Sequence, residues 1–428
     1  MIFCSLFLLS HSIYAATLEE CKTMSLRNSK LLESYKNLIK ANIYVYRKDQ
    51  SALFPQFSGF YQPDYVQYSD HVDFARHGWR DKVAATMSID IQKILANYPQ
   101  LSKEEIEKSK LIKKIAENEI EKNLTQNYYR LYILLKKKSY STDAQSYFIE
   151  HIKDIDKLKS KGVDVKLDSI RARVQLKSLY ISIGNVNQEV TNTLIALNSM
   201  MNTQYKEADF SMMDTPDIAT IETDQTIFNE NVPEASIKSS YIEDVEKSIP
   251  QRIAGLEQSK LDEVDVKSAQ EKYRQSKYYY LPLLQGGFEH NIHTIDPAIE
   301  TDRAFISLNF DIFDFGQKAN EGRQLKYSYE SKKNLFDESQ RKLKVQIDQL
   351  ITEIENIQTT YKNASDNMRS AEEALDTAKD YYQGGKIKET DLLSIFLEYM
   401  NAKDQNYEIL YSFLSKKAEL DSIVRGAQ

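Results

Sequence analysis

From Ile347 to Tyr382, apolar residues fall at Ile347, Leu350, Ile354, Ile357, Tyr361, Ala364, Met368, Ala371, Leu375, Ala378 and Tyr382. The steps alternate three and four, which is the period of a coiled-coil seam. The pattern predicts one helix over about residues 318–383, on the order of 100 Å at 1.5 Å per residue. After Gly384-Gly385 the spacing resumes in a returning helix through Ile395, Tyr399, Ala402, Ile409, Phe413, Leu420 and Ile423, interrupted by Asn406 and Lys416. The two form a long antiparallel hairpin. An earlier stretch copies this plan. It starts at Ser102, where Ser102 and Glu105 read as a capping box, reaches Lys161, and returns from Leu167 to Met201. Small and aromatic seam residues suit helices packed side by side in a sheet or tube better than a two-stranded zipper.

A different period precedes each hairpin. Ile306, Leu308, Phe310 and Ile312 alternate with Ser307, Asn309 and Asp311, and Met87, Ile89 and Ile91 alternate with Ser88, Asp90 and Gln92. Period two predicts strands with one apolar and one polar face. Two further segments, around Phe57 to Tyr61 and Leu284 to Ile292, behave alike. Strands are thus expected over about 54–66, 82–93, 281–293 and 303–314. Ser88, Asp90, Asn309 and Asp311 fall on the polar face; Ile306, Leu308 and Phe310 fall on the apolar one. Segments of this length, flanked by aromatics such as Tyr278 to Tyr280, Phe313, Phe315 and Trp79, carry the weak signature of a membrane barrel. A soluble sheet with one wet face fits the same alternation. Four strands do not close a barrel, and open edges are not tolerated in lipid, so a barrel requires several copies.

The strand-strand-hairpin unit occurs twice, and so do its turns. Gly162 to Asp168 and Gly385 to Asp391 are both Gly-x5-Asp. Self-similarity on this scale marks a duplication. The expected organisation is residues 16–203 as the first repeat with its tip near 162, and residues 242–428 as the second with its tip near 385. Residues 204–241, rich in Asp, Thr, Asn and Glu, are expected as an irregular linker or belt between them.

Composition agrees with long helices: 428 residues hold only 12 Gly and 8 Pro, none of the prolines beyond Pro297. A net charge of -7 excludes a basic field for nucleic acid. Residues 1–15, with the apolar run Ile2 to Leu9 and the small Ala15, read as a secretory signal peptide that lacks a basic start. Removing it takes Cys4 and leaves Cys21, a single thiol expected as a small buried residue on the first helix.

Catalytic patterns carry little weight. Asp314-Phe315-Gly316 matches a kinase magnesium-binding triplet without its Gly-rich loop or His-Arg-Asp partner. His290 and His293, three apart on a strand, point to opposite faces and do not share a metal. His71 and His77 fall in an expected loop. No catalytic constellation, metal site or cofactor is expected.

In this order and duplication, the motifs resemble the TolC-like outer-membrane channel proteins over essentially the whole mature sequence. Thr17-Leu18-Glu19-Glu20-Cys21 is similar to the family's opening helix, and Ala52-Leu53-Phe54-Pro55 and Tyr280-Leu281-Pro282 to its two approaches to barrel strands. Leu308 to Gln317 resembles its strand-to-helix exit, ending in Phe-Asp-x-Gly. Tyr382-Gln383-Gly384-Gly385 with Thr390-Asp391-Leu392-Leu393 resembles its periplasmic tip. The first repeat departs, reading Ile91-Gln92-Lys93-Ile94-Leu95 at its exit and lacking the tip tyrosine. The second has Ser394 where an acid occurs in the family.

The resemblance implies a mainly α fold with a small β part. Three chains would build a twelve-stranded outer-membrane barrel continuous with a periplasmic helical tunnel. It implies a passive exit duct for efflux or type I secretion, working as a homotrimer in outer-membrane lipid with a periplasmic adaptor and an inner-membrane transporter. It places adaptor docking at the tips, Gly162, Val163, Gly384 and Gly385. The gate falls at Asp391, as an acidic ring, with Tyr382, Asp168, Lys386, Lys388 and Arg171. An exported soluble coiled-coil scaffold without a pore is the alternative.

Overall fold

The structure, a computed structural model, describes residues 17–68, 76–161, 166–210, 213, 253–293, 301–309 and 314–424. Its elements in chain order are α1 (Leu18–Asn28), α2 (Lys30–Ser51), β1 (Gln56–Tyr68), β2 (Arg76–Ile89), α3 (Ile91–Leu95), α4 (Pro99–Ser160) and α5 (Lys166–Met201), followed by α6 (Glu257–Ser276), β3 (Leu283–His293), β4 (Thr301–Asn309), α7 (Gln317–Gln383) and α8 (Glu389–Val424). The fold is mainly helical with one small sheet. Residues 1–16 and 214–252, which hold the expected signal peptide and most of the 204–241 segment, lie outside the described residues, as do Gly162, Val163, Phe310 and Asp311.

The contacts divide the chain into two units. One comprises Glu33–Lys114 and Glu257–Arg341 and contains the sheet. Its strands run in the order β1-β2-β3-β4, all antiparallel, so one hairpin from each repeat joins at the β2–β3 pair. Residues of one face share a register: Ser88 pairs with Gln56 and Gln285, and Thr86 with Ser58 and Gly287. Gly287 has a packing reason: a Cβ there would come within 3.0 Å of the Phe305 ring and of Thr86 Cγ2.

Both strand pairs hand over to a helix through an aspartate. Asp90 is not a strand residue. β2 ends at Ile89, and the Asp90 side chain accepts the Lys93 N–H as the N-cap of α3, a position Asp favours because it satisfies an otherwise orphan donor. The strand therefore spans 76–89, and His77 lies on it, paired with Gln67, instead of in a loop. In the second repeat Asp314 accepts the N–H groups of Gly316 (3.0 Å) and Lys318 (2.9 Å). Those backbone donors, Lys318 first, hold its carboxyl below the usual carboxylate range. Phe315 and Gly316 adopt positive φ, 52° and 82°. That is why glycine stands fourth in the Phe-Asp-x-Gly run.

α3 ends as Asn97 turns left-handed, φ 50°. α4 then starts at Pro99, where the missing N–H costs nothing. The helix thus starts about one turn before the expected capping box at Ser102. Ser102 lies inside α4, and its hydroxyl donates to Asp49 on α2. Lys108 on α4 pairs with Asp265 on α6 at 2.7 Å, and Lys332 on α7 reaches the same carboxylate at 3.3 Å.

The other unit comprises Met1–Leu32, Ile115–Leu256 and Lys342–Gln428. The predicted α7 seam packs as its period requires: Ile347, Leu350, Ile354, Tyr361, Ala364, Leu375 and Ala378 are buried. Each fully buried large aliphatic side chain contributes roughly 1.5–3 kcal/mol. α8 is buried more widely than its predicted seam, since Leu392, Leu393, Phe396, Leu410, Leu414 and Ala418 are also enclosed. The reason is that α8 packs against α4 as well as α7, with Tyr132 and Ile133 in the same cluster as Leu410, Phe413 and Leu414. Asn406 keeps the heptad phase and is buried, with Nδ2 3.6 Å from Met368 Sδ. Lys416 instead reaches the rim to pair with Glu353 at 2.9 Å.

α1 opens with a capping box between Thr17 and Glu20 and docks on α5 through Ser25, whose hydroxyl donates to Met200 O (3.1 Å), and Asn28, which donates to Met201 O (2.7 Å). Cys21 is buried there with Leu124, Tyr128 and Leu197.

Candidate channel and gate sites

The sheet carries the first site. Of the predicted wet-face residues, Ser88 and Asn309 share one face. Asn309 donates to Gln285 at 3.3 Å, Gln285 pairs with Ser88, and the Ser58 and Thr86 hydroxyls meet at 2.7 Å beside them. The same face holds the Lys82–Glu289 ion pair, 3.0 Å. Ile306 and Leu308 point the other way and are 83% and 56% exposed, with Phe57, Tyr61, Val83 and Phe288 exposed on that face as well. A sheet in water buries such a face or keeps it polar. This one does neither. β1 and β4 also have no strand partner on their outer sides among the described residues.

The second site is the turn between α7 and α8. The Gly384, Gly385 and Lys386 N–H groups donate to the carbonyls of Asp380 (3.0 Å), Tyr382 (3.0 Å) and Tyr381 (2.8 Å). Gly385 takes φ 67°. This is a Schellman-type stop, which requires a residue tolerant of the left-handed region. Asp391 lies in the first turn of α8, and its carboxylate accepts the Lys388 N–H at 3.3 Å. Its visible role is to cap the helix.

The expected gate residues are only partly brought together. Lys386 stacks its ammonium 5.1 Å over Tyr381, one residue from the expected Tyr382. Lys388 and Arg171 are exposed, while Asp168 is half-buried in the first turn of α5. Tyr382 is half-buried, and burial first, then Glu389, Asp154 and Asp168, raise its hydroxyl above the ordinary tyrosine value. The residues beside it had not been singled out. His151 of α4 packs edge-on against Tyr382, centroids 5.4 Å apart, and face to face with Tyr147 at 5.9 Å; Tyr147 stacks in turn on Phe396 of α8 at 4.9 Å. His151 Nε2 lies 3.2 Å from Glu389 Oε1, both side chains being buried. Neither atom completes a well-directed hydrogen bond, so the contact is one of charge and proximity. The available sequence signal was phase: Ala144, Phe148, His151 and Ile155 follow a 4,3,4 spacing, so His151 occupies a core position.

Farther along α4, Arg130 bridges Glu189 of α5 (2.7 Å) and Glu408 of α8 (2.9 Å), and Lys137 reaches Glu408 at 2.6 Å. Burial works to raise the Glu408 carboxyl, but the hydrogen bond and charge of Lys137, with Arg130, outweigh it and hold the group below the ordinary glutamate range. A depressed folded-state value means stabilisation that is full above the unfolded-state range and is lost as pH falls through the folded value. Glu408→Gln is therefore expected to lower the melting temperature at pH 7 and to approach wild type as the pH falls through the depressed folded-state value of Glu408. Thermal unfolding across that range checks this; a gap independent of pH contradicts it.

Among the described residues no cluster of three metal-ligating side chains occurs, and no helix is long and apolar enough to cross a membrane. Residues 261–424 match the family model described as outer membrane efflux protein. No curated protein matches the chain. Solved structures do. CusC aligns with a TM-score of 0.77 at 11% identity, over 95% of this chain and 91% of that one. The CmeC outer membrane channel of Campylobacter jejuni aligns at 0.75 and 16%, over 96% and 86%. The outer membrane protein VceC of Vibrio cholerae aligns at 0.76 and 12%, over 95% of each. At these identities the likeness speaks for the fold, and it extends over nearly the whole chain.

Proposed function

We propose, from its fold and from the family match over residues 261–424, that the chain is a TolC-like outer-membrane channel protein and that three copies form the passive exit duct of a tripartite efflux pump or type I secretion system. The observation that carries the reading is the sheet: among the described residues it has four strands, two edges without a strand partner and an exposed apolar face. Three such sheets joined edge to edge close a twelve-stranded barrel and leave no open edge in lipid. Ser88, Asn309 and, by alternation, Asp311 line its lumen; Ile306, Leu308 and Phe310 meet lipid.

The helices support association of several copies. α5 carries a second apolar seam, Leu167, Ile170, Val174 and Ile181, exposed opposite its buried one, and α2 exposes Leu31, Leu38 and Val45 at seven-residue intervals. Heptad seams left in solvent suit helices of neighbouring copies. The tips dock a periplasmic adaptor, which couples the duct to an inner-membrane transporter. Tyr382 lies at the gate with Asp168 beside it, Lys386, Lys388 and Arg171 are further gate residues, and Asp391 serves it as a helix cap. Opening is an outward swing of the α7–α8 hairpin against the first one. The duct reading is tested by fractionating cells that express the full chain. The processed protein is expected in the outer membrane, extractable only with detergent; recovery as a soluble periplasmic protein would favour the scaffold alternative.

A further inference from the structure

The His151–Glu389 contact has no place in the duct's construction. It sits in an apolar cluster of Phe148, Ile155, Leu392, Leu393 and Phe396, where aliphatic or aromatic side chains would pack without desolvating two ionisable groups. Its partners come from opposite hairpins. His151 belongs to α4 of the first, and Glu389 is the first residue of α8, directly after the turn of the second. Separating the hairpins at this turn pulls the two apart.

The surroundings place one imidazole among carboxyls and phenols. Facing His151 are Tyr147 and Asp154 of its own helix, Tyr382 of α7 and Glu389 of α8, with Asp168 of α5 beside Tyr382. Asp154 is engaged by Lys157 at 2.8 Å, a bond that, with that ammonium's charge, keeps its carboxyl below the usual range. Burial first, and then neighbouring groups, push both tyrosine hydroxyls up, so they carry no charge near neutrality. Imidazole is the one side-chain type in this set whose ordinary titration falls between about pH 5 and 8. With the imidazolium present, the two buried charges compensate. Once it loses its proton, a buried carboxylate is left without a countercharge, which favours exposing Glu389 to water.

We propose that His151 and Glu389 form a proton-dependent latch between the two hairpin tips, one that holds the gate shut under acidic conditions and releases it as the pH rises. The proposal rests on the gate reading above, and its test is chosen to separate the two. Hydrogen exchange at residues 389–396 is measured on the detergent-solubilised protein at pH 5.5 and pH 8, corrected for intrinsic exchange. Protection in wild type is expected to be lower at pH 8 than at pH 5.5. In His151→Gln and in Glu389→Gln it is expected to be the same at both pH values. Wild-type protection that does not change with pH overturns the latch even if neither variant folds, and so does a variant that keeps the full change. Single-channel recording then reads the gate. A pH-dependent exchange signal in a protein that forms no pore would leave the latch standing and remove the duct.

Discussion

Replacing Leu308 with Arg is expected to destabilise membrane assembly by roughly 2–4 kcal/mol, the cost of a guanidinium on the lipid face near the bilayer midplane. That cost shifts an equilibrium by one and a half to three orders of magnitude and strips the outer membrane of most assembled protein. Asn309→Arg, one residue on, is expected to assemble normally and to alter only conductance, because its side chain shares the wet face with Gln285 and Ser88. Quantifying the trimer in outer-membrane extracts of the two variants decides the assignment. Equal losses would mean that the two faces do not differ in solvent.

The second large effect lies at the turn of the α7–α8 hairpin. Gly385→Arg is expected to leave trimer levels near wild type while abolishing export. Two costs bear on folding there, and both are small. A Cβ at this position meets nothing within 4 Å. The left-handed backbone at φ 67° penalises any non-glycine residue by about 1–2 kcal/mol. The buried cluster beneath, including Leu375, Ala378, Leu392 and Leu393, is untouched. Gly385→Ala imposes the same backbone strain without bulk or charge and serves as the control, expected to retain export. An arginine variant that exports normally would place adaptor docking elsewhere.

How much of this was legible in the sequence depends on how far the causes lie apart along the chain. The α7 seam is written in consecutive turns of one helix, and most of its buried residues are those of the 3,4 spacing, Ile351 being buried beside them. The faces of β4 were likewise legible, because alternation is local. Asp90 misled because a polar residue after Met87, Ser88 and Ile89 continues the alternation perfectly, whereas its side chain is occupied in starting a helix. Comparison with Asp314 would have suggested this, since the same residue type stands at the same hand-over in the second repeat. The contact of His151 with Glu389 joins residues 238 positions apart, and phase offers only half of it: it puts the histidine at a core position without naming what it meets. Lys386 shows the finest limit. Its ammonium lies over Tyr381 across the left-handed Gly385, a contact that periodicity does not encode.

The central claim is that copies of this chain close around a water-filled path through a membrane. It is tested most directly by the ion current through a planar lipid bilayer after addition of the purified, detergent-solubilised protein. The account predicts discrete, uniform conductance steps, altered in size by Asn309→Arg. A protein that inserts without any step of current, or that stays monomeric and soluble once detergent is removed, would contradict it.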